Sequence, residues 1–273
     1  MKLVTLSDNS VSLNRDLLGE HGFSIYLEIN NFKLLFDTGQ TFTAAHNAEV
    51  LKIDLEGIPV ALSHGHYDHT GGLKNVLQKT GPTRVYGHPS LFSNKYSRRD
   101  DLRYIGIPHS RSELEEMGAQ FHLSREPMEI FPHVILSGEI PRNSEFEGAN
   151  QNLLVQNERG KLEVDPLLDD QSLILNLKEG LFVILGCAHS GMINSLEHAK
   201  RTTGKERIIG VVGGTHLGFG GEDRLSKTIQ SLKEYDLEIL GASHCTGLKA
   251  ASILAKEFGD RFIFNNVGTV IEL

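Results

Sequence analysis

The stretch ALSHGHYDHTGG at residues 61–72 constrains this chain more than any other. His64, His66, Asp68 and His69 stand within six positions, directly after an apolar run and directly before the Thr70-Gly71-Gly72 turn. Buried without partners, such groups would each cost several kcal/mol, and a solvated loop gains nothing by collecting them. The fold must therefore bring a strand end to a place where four polar side chains share a ligand. Residues i and i+2 of an extended segment point to one side, so His64 and His66 can grip one cation. Asp68 and His69, on the turn into a helix, are displaced and can grip a second. Imidazole and carboxylate donors suit one or two divalent transition-metal ions, zinc first, with manganese or iron as alternatives. Two such ions about 3.5–4 Å apart would clamp both oxygens of a displacement.

The same grammar recurs later. His189 follows LFVILGCA, His216 follows IIGVVGGT, and His244 follows LEILGAS. Small residues let backbones approach closely, and a strand end delivers its side chain to the rim of a sheet. The isolated His21, His46, His88, His109, His122, His133 and His198 lack that setting and are expected to be hydrogen-bonded structural groups. Cys187 and Cys245 are too few for a disulfide framework, and each lies next to or near a histidine, which points to a reducing, cytoplasmic setting. Cys245 is a small packing residue unless it points inward, where its thiolate would ligate.

Strands are expected over 2–6, 23–29 and 32–36, the last two forming a hairpin at Asn30-Asn31. A helix follows over 41–51, a short strand over 59–62, and a helix over 70–79 with Leu73, Val76 and Leu77 at helical spacing. Ser110 and Glu113 make a capping box. The proline-rich segment 88–170 reads as strands, loops and a cover, not as a separate domain. A hairpin over 172–177 and 181–185 comes next. Helices over 192–201, 223–235 and 247–258 then alternate with strands over 207–212 and 237–241, before closing strands at 261–264 and 267–271. Each half starts with strand pairs and ends in strand–helix alternation. The class is α/β (α+β), two sheets face to face with helices outside, in one domain over 1–273. A net charge of −8 disfavours nucleic acid. No apolar run nears the roughly 18 residues a membrane span needs, and MKLVTLSDNS lacks the apolar centre of a secretory signal.

His64-Gly-His66-Tyr-Asp68-His69, with single histidines at later strand ends, resembles the metallo-β-lactamase-fold superfamily. That resemblance implies a four-layer αββα sandwich with a binuclear site at one edge. It assigns His64, His66 and His189 to the first metal, and Asp68, His69 and His244 to the second. Asp37, in the Phe36-Asp37-Thr38-Gly39 turn, would steady a ligand histidine; its plainer role is an Asx hydrogen bond within the turn. The superfamily's usual bridging aspartate is missing, and Thr215 and His216 stand in its place. The second site is then expected to be weaker, with His216 facing the substrate as acid, base or phosphate-binding group.

GEIPR (138–142) with Phe146-Glu147, GCAHSGMIN (186–194), GGTHL (213–217) and SHCTG (243–247) resemble one branch. It is the branch related to a dihydropterin–ribofuranosylaminobenzene phosphate synthase of methanopterin biosynthesis. The resemblance implies a metal-dependent transferase that forms a C–N bond and displaces diphosphate from a small phosphorylated substrate, a pterin among the options. His216 and Asp68 would be catalytic, and Arg142 would contact phosphate through its guanidinium fork. Arg98 and Arg99, beside Asp100-Asp101, read as a solvated charge run in preference to phosphate contacts. Two other readings stay open: a binuclear hydrolase of phosphodiesters or lactones, and a non-catalytic metal-bearing sensor or binding module. The oligomeric state is not legible in the sequence.

Overall fold

Apolar strands bounded by Asn and Gly turns build two seven-stranded sheets and one four-stranded sheet among the described residues. The computed structural model describes residues 1–13, 16–99 and 101–273, so Asp100 of the charge run lies outside the described residues. The chain divides into two compact units, one of Met1–Ser124, Ala149–Asp169 and Val267–Leu273, the other of Arg125–Gly148 and Asp170–Asn266.

In the first unit the seven strands run in the order Val270–Glu272, Lys2–Ser7, Ser24–Ile29, Phe32–Phe36, Val60–Ala61, Thr83–Gly87 and Ala119–Leu123. The first four pair antiparallel and the rest parallel. Asn30 and Asn31 take φ of 48° and 66°. Both central positions of a tight hairpin turn need such left-handed values, which Asn tolerates. Helices Thr43–Val50, Leu73–Thr80 and Arg111–Glu116 make the crossovers. Their apolar faces meet Leu6, Leu35, Val60 and Leu62 in one core through Ala44, Ala48, Leu73, Val76, Leu77 and Leu114. The expected capping box is present, with the Ser110 N–H donating to Glu113 Oε2 at 2.7 Å and the Glu113 N–H donating to Ser110 Oγ at 3.3 Å. The helix expected over 70–79 is instead two pieces, Tyr67–Thr70 and Leu73–Thr80, broken at the glycine pair.

In the second unit the order is Phe262–Phe264, Ile239–Ser243, Ile208–Gly214, Leu181–Leu185, Ser172–Asn176, Val134–Leu136 and Met128–Phe131. The first four are parallel and the others antiparallel. Helices Met192–Thr203, Gly221–Leu232 and Gly247–Phe258 cover a core that includes Val183, Leu185, Val211 and Leu240. The central strands read as unbroken apolar runs because both of their faces are buried.

Segment 88–170, expected as strands, loops and a cover, is distributed across the fold. Its strands divide among all three sheets, and Leu162–Val164, Leu153–Gln156, Lys95–Ser97 and Arg103–Tyr104 form the small one. The two closing strands part company. Val270–Glu272 pairs with Lys2–Ser7, Lys2 opposite Glu272, while Phe262–Phe264 stays in the second sheet. Within each large sheet, the chemistry-bearing residues follow the carboxyl ends of parallel strands, the usual place for ligands in such sheets.

Candidate functional site

In the first unit, Asp37 comes straight after the strand Phe32–Phe36 and holds φ at 60°, uncommon for a residue with a side chain. The Ser63 N–H donates to Asp37 Oδ1 and the Ser63 hydroxyl to Oδ2, both at 2.7 Å. His69 Nδ1 lies 2.6 Å from the same Oδ2. Ser63 Oγ is also 2.8 Å from His64 Nδ1. The Nδ1 atoms of His64 and His69 thus face the serine–aspartate pair, which leaves Nε2 of each ring for a cation. His64 Nε2 and His66 Nδ1 are 3.0 Å apart. Two zinc–nitrogen bonds at tetrahedral angles would separate their donors by about 3.3 Å, so this pair fits one ion. His69 Nε2 lies 4.0 Å from Asp68 Oδ2, a second pair close to ligand spacing. Burial holds His64 well below the ordinary imidazole range and pulls His66 down to about 4. Both rings are therefore neutral, the form that binds metal.

The backbone between the two histidines is pinned. The Gly65 N–H donates to Asp169 Oδ2 at 2.7 Å, and a Cβ at Gly65 would overlap the Leu91 carbonyl oxygen. Asp169 Oδ1 and Asp165 Oδ2 each accept from Lys95 Nζ at 2.8 Å. Lys95 is 1% exposed. Burial pulls its ammonium down, but the carboxylates of Asp169 and Asp165 outweigh that and raise it. Burial pushes Asp169 up, and the Lys95 ammonium outweighs that and holds it below the usual carboxylate range. Sequence reasoning missed this trio. Its members lie 70 and 74 residues apart, and Lys95 sits inside a stretch that looks solvated. Arg98 and Arg99 in that stretch are indeed exposed. His21, expected to be structural, places Nε2 3.3 Å from Asp68 Oδ2.

In the second unit, a turn at 186–191 presents His189, and three side chains hold it. Arg142 Nη2 donates to the His189 carbonyl at 3.2 Å, and the Ser190 N–H donates to Asp170 Oδ2 at 2.7 Å. Glu147 accepts the Ile193 and Asn194 N–H groups at 2.9 and 2.8 Å, capping the helix Met192–Thr203. Burial raises both Asp170 and Glu147 despite these bonds. Segments GEIPR–FE and GCAHSGMIN, noticed separately in the sequence, are thereby one hydrogen-bonded assembly. Asn194 tightens it, with Oδ1 accepting the Asn143 and Ser144 N–H groups.

Ala188, His216 and His244 hold left-handed φ of 52°, 54° and 52°. Each follows a parallel strand within three residues, as Asp37 does in the first unit. Such values cost about 1–3 kcal/mol for residues with side chains and concentrate at functional sites. The His216 ring is 4.4 Å from that of His189 and 4.9 Å from that of Phe219. The His244 ring nitrogen and the sulfurs of Cys187 and Cys245 lie within 4.8 Å of one another. The structure thus gathers His64, His66, Asp68 and His69 in one unit. In the other it joins His189 with His216 and Arg142, and His244 with both cysteines.

A model of the metallo-beta-lactamase superfamily matches residues 18–198, which carry Asp37, the 64–69 cluster and His189. A protein of Methanocaldococcus jannaschii named 7,8-dihydropterin-6-methyl-4-(beta-D-ribofuranosyl)-aminobenzene-5'-phosphate synthase is 28% identical over 100% of this chain and 96% of its own length. A second protein of that organism, of uncharacterised function, is 35% identical over 94% of this chain and 95% of its own length. A solved structure described as a metal-dependent hydrolase of the beta-lactamase superfamily is 32% identical, covers 100% of this chain and 99% of its own, and superposes with a TM-score of 0.85.

Proposed function

Because the chain belongs to the metallo-β-lactamase superfamily and has its mixed α/β fold, we propose that it is a metal-dependent, cytoplasmic transferase acting on a small phosphorylated substrate. In this reading the methylene carbon of a dihydropterin-type substrate is joined to an arylamine nitrogen and diphosphate leaves. His64, His66 and His189 are assigned to one divalent ion, and Asp68, His69 and His244 to another, zinc first and manganese or iron second. The observation that carries the reading is the end-to-end likeness to the synthase, 28% identical over the whole of this chain.

The ions, when bound, supply Lewis-acid stabilisation of the departing charge. The chain's own residues do the rest. Asp37 and Ser63 orient the imidazoles of His69 and His64, and Arg142, Asp170 and Glu147 fix the His189 turn. The C–N bond forms as the C–O bond to diphosphate breaks, and the proton lost by the amine passes to a ring nitrogen of His216. Asp68 shares the catalytic assignment through its carboxylate. Arg142 and Arg224 have guanidinium N–H groups with no partner among the described residues and lie within electrostatic reach of each other. That supports a phosphate contact, with Arg142 using the N–H groups it does not give to His189.

A hydrolase is the second reading, favoured by the description of the solved relative. Zinc-loaded protein given a dihydropterin methyl diphosphate and a ribofuranosylaminobenzene phosphate should yield coupled product and diphosphate in equal amounts. His216→Ala should lower kcat by about 100-fold or more. Hydrolysis of a phosphodiester or lactone with no coupled product would replace the transferase by the hydrolase, and no turnover of either would leave a binding module.

A further inference from the structure

The six-residue assignment leaves charge unbalanced. It sets five imidazoles and one carboxylate, Asp68, against two divalent ions, and the strand end VVGGTHLG brings no aspartate. The second unit holds two more ionisable donors. Cys187 and Cys245 are 3% and 7% exposed, and neither is disulfide-bonded. Their sulfurs and a ring nitrogen of His244 all lie within 4.8 Å of one another, although the cysteines are 58 positions apart.

Sheet topology explains the meeting. Cys187 follows the strand Leu181–Leu185 and Cys245 follows Ile239–Ser243, the two parallel neighbours of Ile208–Gly214. Side chains two strands apart are ordinarily separated by about 9–10 Å. Gly214 stands between these two, and a Cβ there would lie 2.8 Å from Cys245 Sγ and 3.2 Å from Cys187 Cα. The absent side chain is what lets the sulfurs approach. The His216 N–H donates to Cys245 Sγ at 3.2 Å, and that sulfur lies 3.6 Å from the Cys187 carbonyl oxygen.

We infer that Cys187, His244 and Cys245 form a thiolate-bearing seat for a divalent transition metal, whose sulfurs bring the negative charge that no bridging carboxylate supplies. Which of the two ions occupies it rests on the two-metal reading above, through the shared His244; the donor cluster stands without that reading. Zinc–sulfur bonds of about 2.3 Å and zinc–nitrogen bonds of about 2.0–2.1 Å require donors about 3.6–3.8 Å apart, so the side chains close on an ion by moving about 1 Å. Sulfur donors select zinc or cobalt over manganese, which narrows the metal for this seat.

X-ray absorption at the zinc edge of the zinc-loaded wild-type protein tests the seat directly. Sulfur scatterers at about 2.3 Å, beside nitrogen and oxygen at about 2.0–2.2 Å, are expected. The cobalt-loaded protein should show a thiolate-to-cobalt charge-transfer band, absent from the Cys187→Ser/Cys245→Ser variant, and that variant should bind one ion at least about tenfold more weakly. If the variant does not fold, the wild-type spectra decide. A metal-loaded wild type with only nitrogen and oxygen neighbours and no such band overturns the seat and leaves the two-metal reading standing. A wild type that retains no ion overturns both.

Discussion

Replacing Lys95 by methionine removes a buried cation from between two carboxylates. The side chains of Lys95, Asp165 and Asp169 are 1%, 5% and 0% exposed, and both ion-pair distances are 2.8 Å. Methionine keeps most of the aliphatic packing, so the loss is electrostatic. Removing one partner of a buried pair typically costs about 3–5 kcal/mol, because the remaining charge has neither water nor counterion. That is a large share of a total stability of about 5–15 kcal/mol. At about 2–3 °C per kcal/mol for a chain of this size, Tm should fall by roughly 6–15 °C at pH 7. The pH dependence has a definite sign. The folded-state pKa of Asp169 is held below its unfolded value, so the stability it contributes in the wild type is present above the ordinary carboxylate range and lost as pH falls through the depressed pKa. The gap between wild type and variant should therefore narrow towards pH 4, where protonation removes the stranded charge. The chain has no Trp, so far-UV circular dichroism during heating and urea unfolding is the assay. A fall in Tm under about 2 °C at pH 7 would refute the reasoning.

Two further outcomes follow from the first unit. Asp37→Asn should weaken zinc binding by about 10–100-fold in calorimetric titration, because the amide no longer fixes the His69 ring with a full charge; unchanged affinity would remove Asp37 from that role. In metal-free protein His66 titrates at about 4 against 6.5 in the unfolded chain, so between those values the unfolded state binds more protons and stability rises with pH. Urea unfolding should show about 3 kcal/mol lost as pH drops from 6.5 to 4, and a flat profile across that window would contradict the neutral, buried imidazole.

The parts of this molecule that were legible in its sequence are those with local causes. The Asn30-Asn31 hairpin, the Ser110–Glu113 box and the buried strands before His189, His216 and His244 each depend on neighbours a few residues away. The mixed α/β class followed from their order. What escaped depends on long-range pairing. Nothing near Lys95 announces its partners at Asp165 and Asp169, and a lysine in a charged stretch ordinarily lies in water. Glu147 caps a helix that begins 45 positions later, so no local capping pattern marks it. The strand Val270–Glu272 finds its partner at the opposite end of the chain. The left-handed backbone at Asp37, Ala188, His216 and His244 was equally silent, since glycine is the usual signal for it and none of these is glycine.

Metal content of the zinc-reconstituted protein, by elemental mass spectrometry after gel filtration, bears most directly on the proposed assignment of His64, His66, Asp68, His69, His189 and His244 to a pair of cations. Two zinc ions per wild-type chain are expected, with about one lost on substituting His64→Ala in the first unit and likewise His189→Ala in the second. A wild type that emerges without zinc, or variants that keep the full wild-type content, would contradict it.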